Sequence, residues 1–129
     1  MNLEMFDEYQ RSVIEVGQLF GLDVSIYADP KFDFLQMYQI RWGLENDIDV
    51  SVYADPEFNW RQMHIIRQGL EQGLDVSVYA DPKYDFVQMQ EIFLGLEKGL
   101  DVTVYSDPEF NHLKMHEIRC DMEDILNFF

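Results

Sequence analysis

The sequence holds one cysteine, Cys120, so no disulfide can form within it, and nothing points to an oxidising compartment. Basic residues are scarce: nine Lys and Arg stand against 25 Asp and Glu, leaving a net charge of −16. A field of that sign repels DNA, RNA and anionic lipid alike. Direct nucleic-acid binding is therefore not expected, and the expected partner is a protein with a basic surface. No apolar run approaches the roughly 18 residues that a membrane span needs. The opening MNLEMFDEYQ lacks the basic and apolar regions of a signal peptide, so a soluble cytoplasmic chain is expected. Missing too are a Ser/His/Asp arrangement, a phosphate-cradling glycine loop and a nucleophile with an evident base. No enzyme and no cofactor are expected. Disorder is excluded from the other side, because hydrophobic residues reach 47% and aromatics 15%, far above an unfolded acidic tail.

What the sequence does contain is a repeat. Asp-Pro recurs at Asp29-Pro30, Asp55-Pro56, Asp81-Pro82 and Asp107-Pro108, always 26 residues apart. A tyrosine precedes each pair (Tyr27, Tyr53, Tyr79, Tyr105), after an apolar-rich run such as DVSVYA. An aromatic follows (Phe32, Phe58, Tyr84, Phe110), then Asp or Asn, a methionine (Met37, Met63, Met89, Met115) and an isoleucine (Ile40, Ile66, Ile92, Ile118).

One copy reads as a long helix followed by a short one. Asp33 is placed as an N-cap, with Gln36 three residues on to complete a capping box. Asn59/Gln62 and Asp85/Gln88 repeat the pattern. Met37, Ile40 and Leu44 fall on one helix face. Gly73 and Gly99 stand where a C′ glycine ends a helix, with Leu74 and Leu100 placed for the accompanying apolar contact. Asp75 then caps a short helix predicted to run to about Ala80, which Asp-Pro stops. The alternation in VSVY leaves open a strand-plus-helix unit like a leucine-rich repeat. The L-x-x-L-x-L pattern is absent, however, and the aspartate cap favours helix.

The fold class expected is all-α: a short α-solenoid of five long and four short helices, forming one repeat domain over residues 1–129. Residues 1–21 form an N-terminal capping helix, since Phe6, Asp7, Gln10, Ile14 and Gly17 match Phe32, Asp33, Gln36, Ile40 and Gly43 one period on. The copies are 22–47, 48–73, 74–99 and 100–129. In the last one Asp121 and Ile125 replace the glycines, so its helix is expected to continue toward Phe129.

The unit, GLDVSVYADPKYDFVQM followed by EIFLGLEK, resembles a short helical repeat common in uncharacterised proteins of gut bacteria and their mobile elements. The resemblance covers nearly the whole chain. It implies a helical array and a mobile-element setting, which favours an inhibitor of a host defence system. It brings no catalytic residue or ligand with it.

Comparing the copies with one another separates two faces. At about 100° per residue, the uniform positions 36, 37, 40, 43 and 44 share one arc of the long helix, the arc expected to pack. Gly43, Gly69 and Gly95 lie in it, and close approach of another backbone would explain them, since a mid-helix glycine costs about 1 kcal/mol. Positions that differ between copies share the other arc. They are Phe34/Trp60/Phe86/His112, Leu35/Arg61/Val87/Leu113, Tyr38/His64/Gln90/His116 and Trp42/Gln68/Leu94/Cys120. At position 34 the aromatics are expected to fill space between long and short helices. The remaining variable positions mix aromatics, His and Arg as protein interfaces do, so Tyr38, Trp42, Arg61, His64, Gln68, Gln90, Leu94 and His116 are the candidate partner-binding residues. A protein-binding repeat module, a scaffold or adaptor working through this face of the stacked long helices, is the function expected.

Two other chemistries are weaker. His112, His116 and Cys120 are spaced i, i+4, i+8, and adjacent members could share a zinc ion. The first and last lie about 12 Å apart, and no ligand set recurs between copies, so no metal is expected. The aspartates form rows at 23/49/75/101 and 29/55/81/107, adequately explained as caps and turns. As an alternative, an acidic surface of Glu45, Glu71, Glu97, Asp29, Asp55 and Asp81 could imitate a phosphate backbone. Such a surface would block the basic groove of a nucleic-acid-binding protein.

Overall fold

In a computed structural model, residues 2–128 are described; Met1 and Phe129, the two ends of the expected domain, lie outside them. The described residues form five α-helices and no strand, which settles the choice between helix and strand in the repeat. The helices are α1 (Glu8–Leu19), α2 (Phe34–Glu45), α3 (Trp60–Glu71), α4 (Phe86–Glu97) and α5 (His112–Phe128). Between them lie four 3-10 helices, Val24–Ile26, Val50–Val52, Val76–Val78 and Val102–Val104. The architecture is the expected all-α tandem repeat of the α-solenoid kind. Its contacts gather into two compact units, Met1–Arg67 and Gln68–Phe129, divided inside α3. In the first, α1 packs on α2; in the second, α4 packs on α5.

Every helix start is built as the sequence predicts. Asp33 Oδ1 accepts from the Gln36 N–H at 2.8 Å, and Gln36 Oε1 accepts from the Asp33 N–H at 2.8 Å. Asp7/Gln10, Asn59/Gln62 and Asp85/Gln88 form the same box. The other end of the glutamine amide has a second role. Its Nε2 donates to a carbonyl of the following copy: Gln10 to Phe32 O at 2.7 Å, Gln36 to Phe58 O at 2.6 Å, Gln88 to Phe110 O at 2.6 Å. Only an amide can accept at the cap and donate to the next copy, which is why glutamine stands here in so acidic a chain. Lys114 stands at this position in the copy of α5, where Asn111 still caps the Lys114 N–H at 2.8 Å.

The long helices end in Schellman motifs. Leu74 N–H bonds Gly69 O at 2.9 Å and Gly73 N–H bonds Leu70 O at 3.1 Å, with Gly73 at φ 72°. Asp47 fills the same place in its copy at φ 56°, a left-handed conformation that aspartate tolerates better than most residues. In α5, where Asp121 and Ile125 stand in place of the glycines, the helix continues to Phe128.

The short elements are shorter than expected, a single 3-10 turn rather than a helix reaching Ala80. Asp75 accepts from the Ser77 N–H at 3.2 Å and closes the first turn tightly. The chain then leaves helical geometry at Tyr79, φ −135° and ψ −5°, as that side chain enters the core. Tyr27, Tyr53, Tyr79 and Tyr105 are wholly buried. Tyr53 OH donates to Gln39 O and Tyr105 OH to Glu91 O, each at 2.7 Å; Tyr27 OH donates to Val13 O at 3.1 Å. The helix glycines that recur in phase make room for this side chain, and not for another backbone as expected. A Cβ on Gly43 would collide with the Tyr53 hydroxyl and approach Val50 Cγ1 to 2.6 Å; Gly17, Gly69 and Gly95 meet the same pair of neighbours. Met37, Ile40, Met63, Ile66, Met89 and Ile92 complete the core from the uniform arc.

Two outcomes are expected. Gln36→Glu replaces the amide donor by an acceptor facing two carbonyls, Phe58 O and Pro56 O, and should lower stability in urea titration by about 2 kcal/mol. Burial raises the Tyr27 pKa from 10.0 to about 12, opposed by Arg41, and raises Tyr79 and Tyr105 as well. A phenol with a raised folded pKa favours the fold fully below its unfolded value and loses that contribution as pH climbs through the folded value. Helicity should therefore persist to about pH 10 and collapse above it, with tyrosinate absorbance appearing in the same pH interval.

Candidate interaction surface

The variable arc of the first unit carries an aromatic face backed by arginine. Tyr38 and Trp42 sit one turn apart on α2, 37% and 38% exposed, with ring centroids 6.0 Å apart. Position 34 differs from expectation. Phe34 does not fill space between long and short helices but is 37% exposed, its ring 5.0 Å from that of the exposed Tyr9 on α1. As the first residue after the N-cap, it has no preceding helical turn to lie against and falls on the outer face. Trp60 and Phe86 at the same position are half-buried, and His112 is exposed.

Guanidinium groups stack on three of these rings. Arg41 lies 5.0 Å from the Tyr38 centroid, Arg61 5.3 Å from Trp60 and Arg67 5.4 Å from Trp42. Three of the nine basic residues thus stand on one aromatic face of a chain that is acidic nearly everywhere else. Arg67 is buried; its Nε donates to Gln39 Oε1 at 3.1 Å and its Nη2 lies 3.0 Å from His64 Nδ1. It therefore gathers Trp42 and His64, two predicted site residues, around one cation. Arg61, a third, is exposed on α3.

In the second unit the same arc carries one aromatic residue, the half-buried Phe86, among polar and aliphatic ones, with Val87 and Leu113 exposed. Gln68 and Leu94 are half-buried and Gln90 is exposed. His116 is exposed and bound into a charge cluster. Arg119 Nε donates to Glu91 Oε2 at 2.7 Å and its Nη1 to Glu123 Oε1 at 2.8 Å. Burial disfavours the Arg119 charge, but the bonds from Glu91 and Glu123 outweigh it and raise its pKa. His116 Nδ1 lies 3.2 Å from Glu91 Oε1 and 3.1 Å from Arg119 Nη2, so it serves one or the other according to its proton. Its Nε2 is 3.5 Å from Cys120 Sγ. Among the described residues, no group of three His, Cys, Asp or Glu side chains is arranged to hold a metal ion.

The pairs Gln39/Arg67 and Glu91/Arg119 have no counterpart in the sequence reading, which assigned positions 39 and 41 to neither face. The signal was available, since both pairs are 28 residues apart, one period plus two. In the same sequence register Ile65 and Phe93 are both apolar and buried, and Val13 occupies the position that corresponds to Arg41. Valine offers no acceptor. Glu45 Oε1 comes within 3.1 Å of Arg41 Nε, but off the N–H direction, so it balances the charge without accepting the buried hydrogen. Such an unfilled donor costs on the order of 1–3 kcal/mol.

The acidic residues are mostly structural. Asp29, Asp55 and Asp81 each accept a backbone N–H two residues on, from Lys31, Glu57 and Lys83, all at 2.9 Å. Asp23, Asp49, Asp75 and Asp101 cap the 3-10 turns. Glu45, Glu71 and Glu97 occur at the C-terminal ends of their helices and are exposed. No helix among the described residues is long and apolar enough to cross a membrane. Comparison with protein-family models, curated proteins and solved structures gives no match.

Replacing the ionic Glu91/Arg119 pair by apolar residues tests the 28-residue register. Arg119→Phe alone leaves Glu91 buried without its cation and should cost about 3 kcal/mol in urea unfolding. Adding Glu91→Ile, which copies the Ile65/Phe93 combination, should restore stability to within about 1 kcal/mol of the parent.

Proposed function

We propose that the chain is a protein-binding repeat module whose contact surface is the aromatic and arginine face of its first unit. The observation that carries this is the exposure of Phe34, Tyr38 and Trp42 in a fold that buries four tyrosines completely. Aromatic rings with arginines stacked on them are the composition that dominates binding energy at protein interfaces. The position of Trp42 holds Gln68, Leu94 and Cys120 in the other copies, so the fold does not require an indole there. The acidic remainder of the surface steers a basic partner from a distance and keeps nucleic acid away. An adaptor or scaffold role follows, with no chemistry on a substrate. The alternative reading, an acidic mimic of nucleic acid acting against a defence protein, has less support. The Asp29, Asp55 and Asp81 carboxylates already accept backbone N–H groups in their turns.

The test compares the parent chain with Trp42→Ala as bait against host-cell proteins, with binding of any captured protein then measured by calorimetry. Trp42→Ala should weaken binding by about 2 kcal/mol, roughly 30-fold, while thermal stability falls by less. A variant that melts early yet binds as well as the parent would assign Trp42 to packing. Steep weakening with salt, unaffected by Trp42→Ala, would move the contact to the acidic rows.

A further inference from the structure

Among the described residues α1 has no long helix before it, and one side chain marks that end of the array. Met37, behind α1, and Met115, behind α4, share one position of the packing arc and are wholly buried, as are Met63 and Met89. One period before Met37 the residue is Arg11, and it is exposed. The position is therefore one that a preceding copy covers, and α1 carries a charge where the later helices carry core.

Arg11 folds back on the segment ahead of its own helix. Its Nε–H is shared between Leu3 O and Phe6 O, each at 2.9 Å, and its Nη2 donates to Glu4 O at 3.5 Å. Phe6 and Glu4 stand two periods before Phe58 and Pro56. The carbonyls of Phe58 and Pro56 are the two that Gln36 of the preceding helix reaches, at 2.6 and 3.2 Å. Gln88 reaches Phe110 O and Pro108 O in the same way, at 2.6 and 3.0 Å. Arg11 thus fills from within α1 the two acceptors that elsewhere receive the amide of another copy. The methionine of the later helices has no donor with which to do so.

We propose that Arg11 is a stop: it occupies the docking points of a preceding copy and holds the outer face of α1 closed to a further unit of this repeat, in the same chain or from a second molecule. A junction between copies is heterologous, glutamine on one side and carbonyls on the other, so an unsealed end invites head-to-tail growth. The closure has two parts. An arriving unit finds both carbonyls taken, and docking would bury a guanidinium that cannot shed its charge.

The test adds one copy. Residues 34–59 are joined directly ahead of Glu8 in place of residues 1–7, which keeps the 26-residue phase, with position 11 as Arg or as Met. Amide hydrogen exchange is then read in the added segment. Ahead of Arg11→Met the added helix should dock, and its amides should exchange at least about 100-fold more slowly than ahead of arginine. Equal protection in the two chains would overturn the proposal. So would an added helix that docks in neither, because something other than Arg11 would then close the face. In the otherwise unaltered chain, Arg11→Met should keep its helical circular dichroism, while the Phe6 amide, which donates to Leu3 O, exchanges about tenfold faster. An unchanged Phe6 amide would show that Arg11 does not hold this segment, and the stop would fall with it.

Discussion

A tyrosine hydroxyl pressed against a helix carbonyl sets the dimensions of each copy. The phenol of Tyr53 reaches back 14 residues to Gln39 O, and its ring occupies the space that a side chain at Gly43 would need. The glycine weakens the helix by roughly 1 kcal/mol, and the buried aromatic with its bonded hydroxyl more than offsets that. The 3-10 turn is only as long as is needed to swing the tyrosine inward. Asp-Pro then turns the chain toward the next capping box. An inserted residue anywhere between Gly43 and Tyr53 would pull the ring from its carbonyl, which accounts for four copies without a single insertion.

Two kinds of bond then join one copy to the next. The glutamine amide reaches a backbone carbonyl and so depends on nothing in the next copy's side chains. The 28-residue pair does depend on them: Gln39 with Arg67 and Glu91 with Arg119 are side-chain matches. Position 41 therefore lies between packing and surface, and Arg41, without its match, is drawn toward the aromatic face.

Much of this was legible because it repeats. The capping boxes, the C′ glycines and the Met/Ile arc each follow from local chemistry that one copy states and others restate. The 3-10 turns were harder, because an aspartate cap starts a helix of any length and only the burial of Tyr79 ends it after one turn. The exposure of Phe34 was hidden for a different reason: aromatic identity in three copies looks like a packing requirement, although Phe34 meets Tyr9 at the surface. The buried pairs Gln39/Arg67 and Glu91/Arg119 are harder to read, because positions 39 and 41 are neither uniform enough to mark the packing arc nor placed on the variable one. In a repeat, a position can change between copies and still be internal: position 39 is buried as Gln39, as Ile65 and as Glu91.

The glutamine tether has a consequence for how such a chain can grow. Because its acceptor is main chain, a duplicated copy finds its fastening wherever it lands in the array, so lengthening by whole periods disturbs no amide bond. The arginine pairing is not portable in this way. Each duplication or deletion shifts which residue meets which across a junction, and a mismatched junction strands a cation near the outer face. Arg41 has the form of such a junction: a trace of copy order, written where the molecule meets its surroundings.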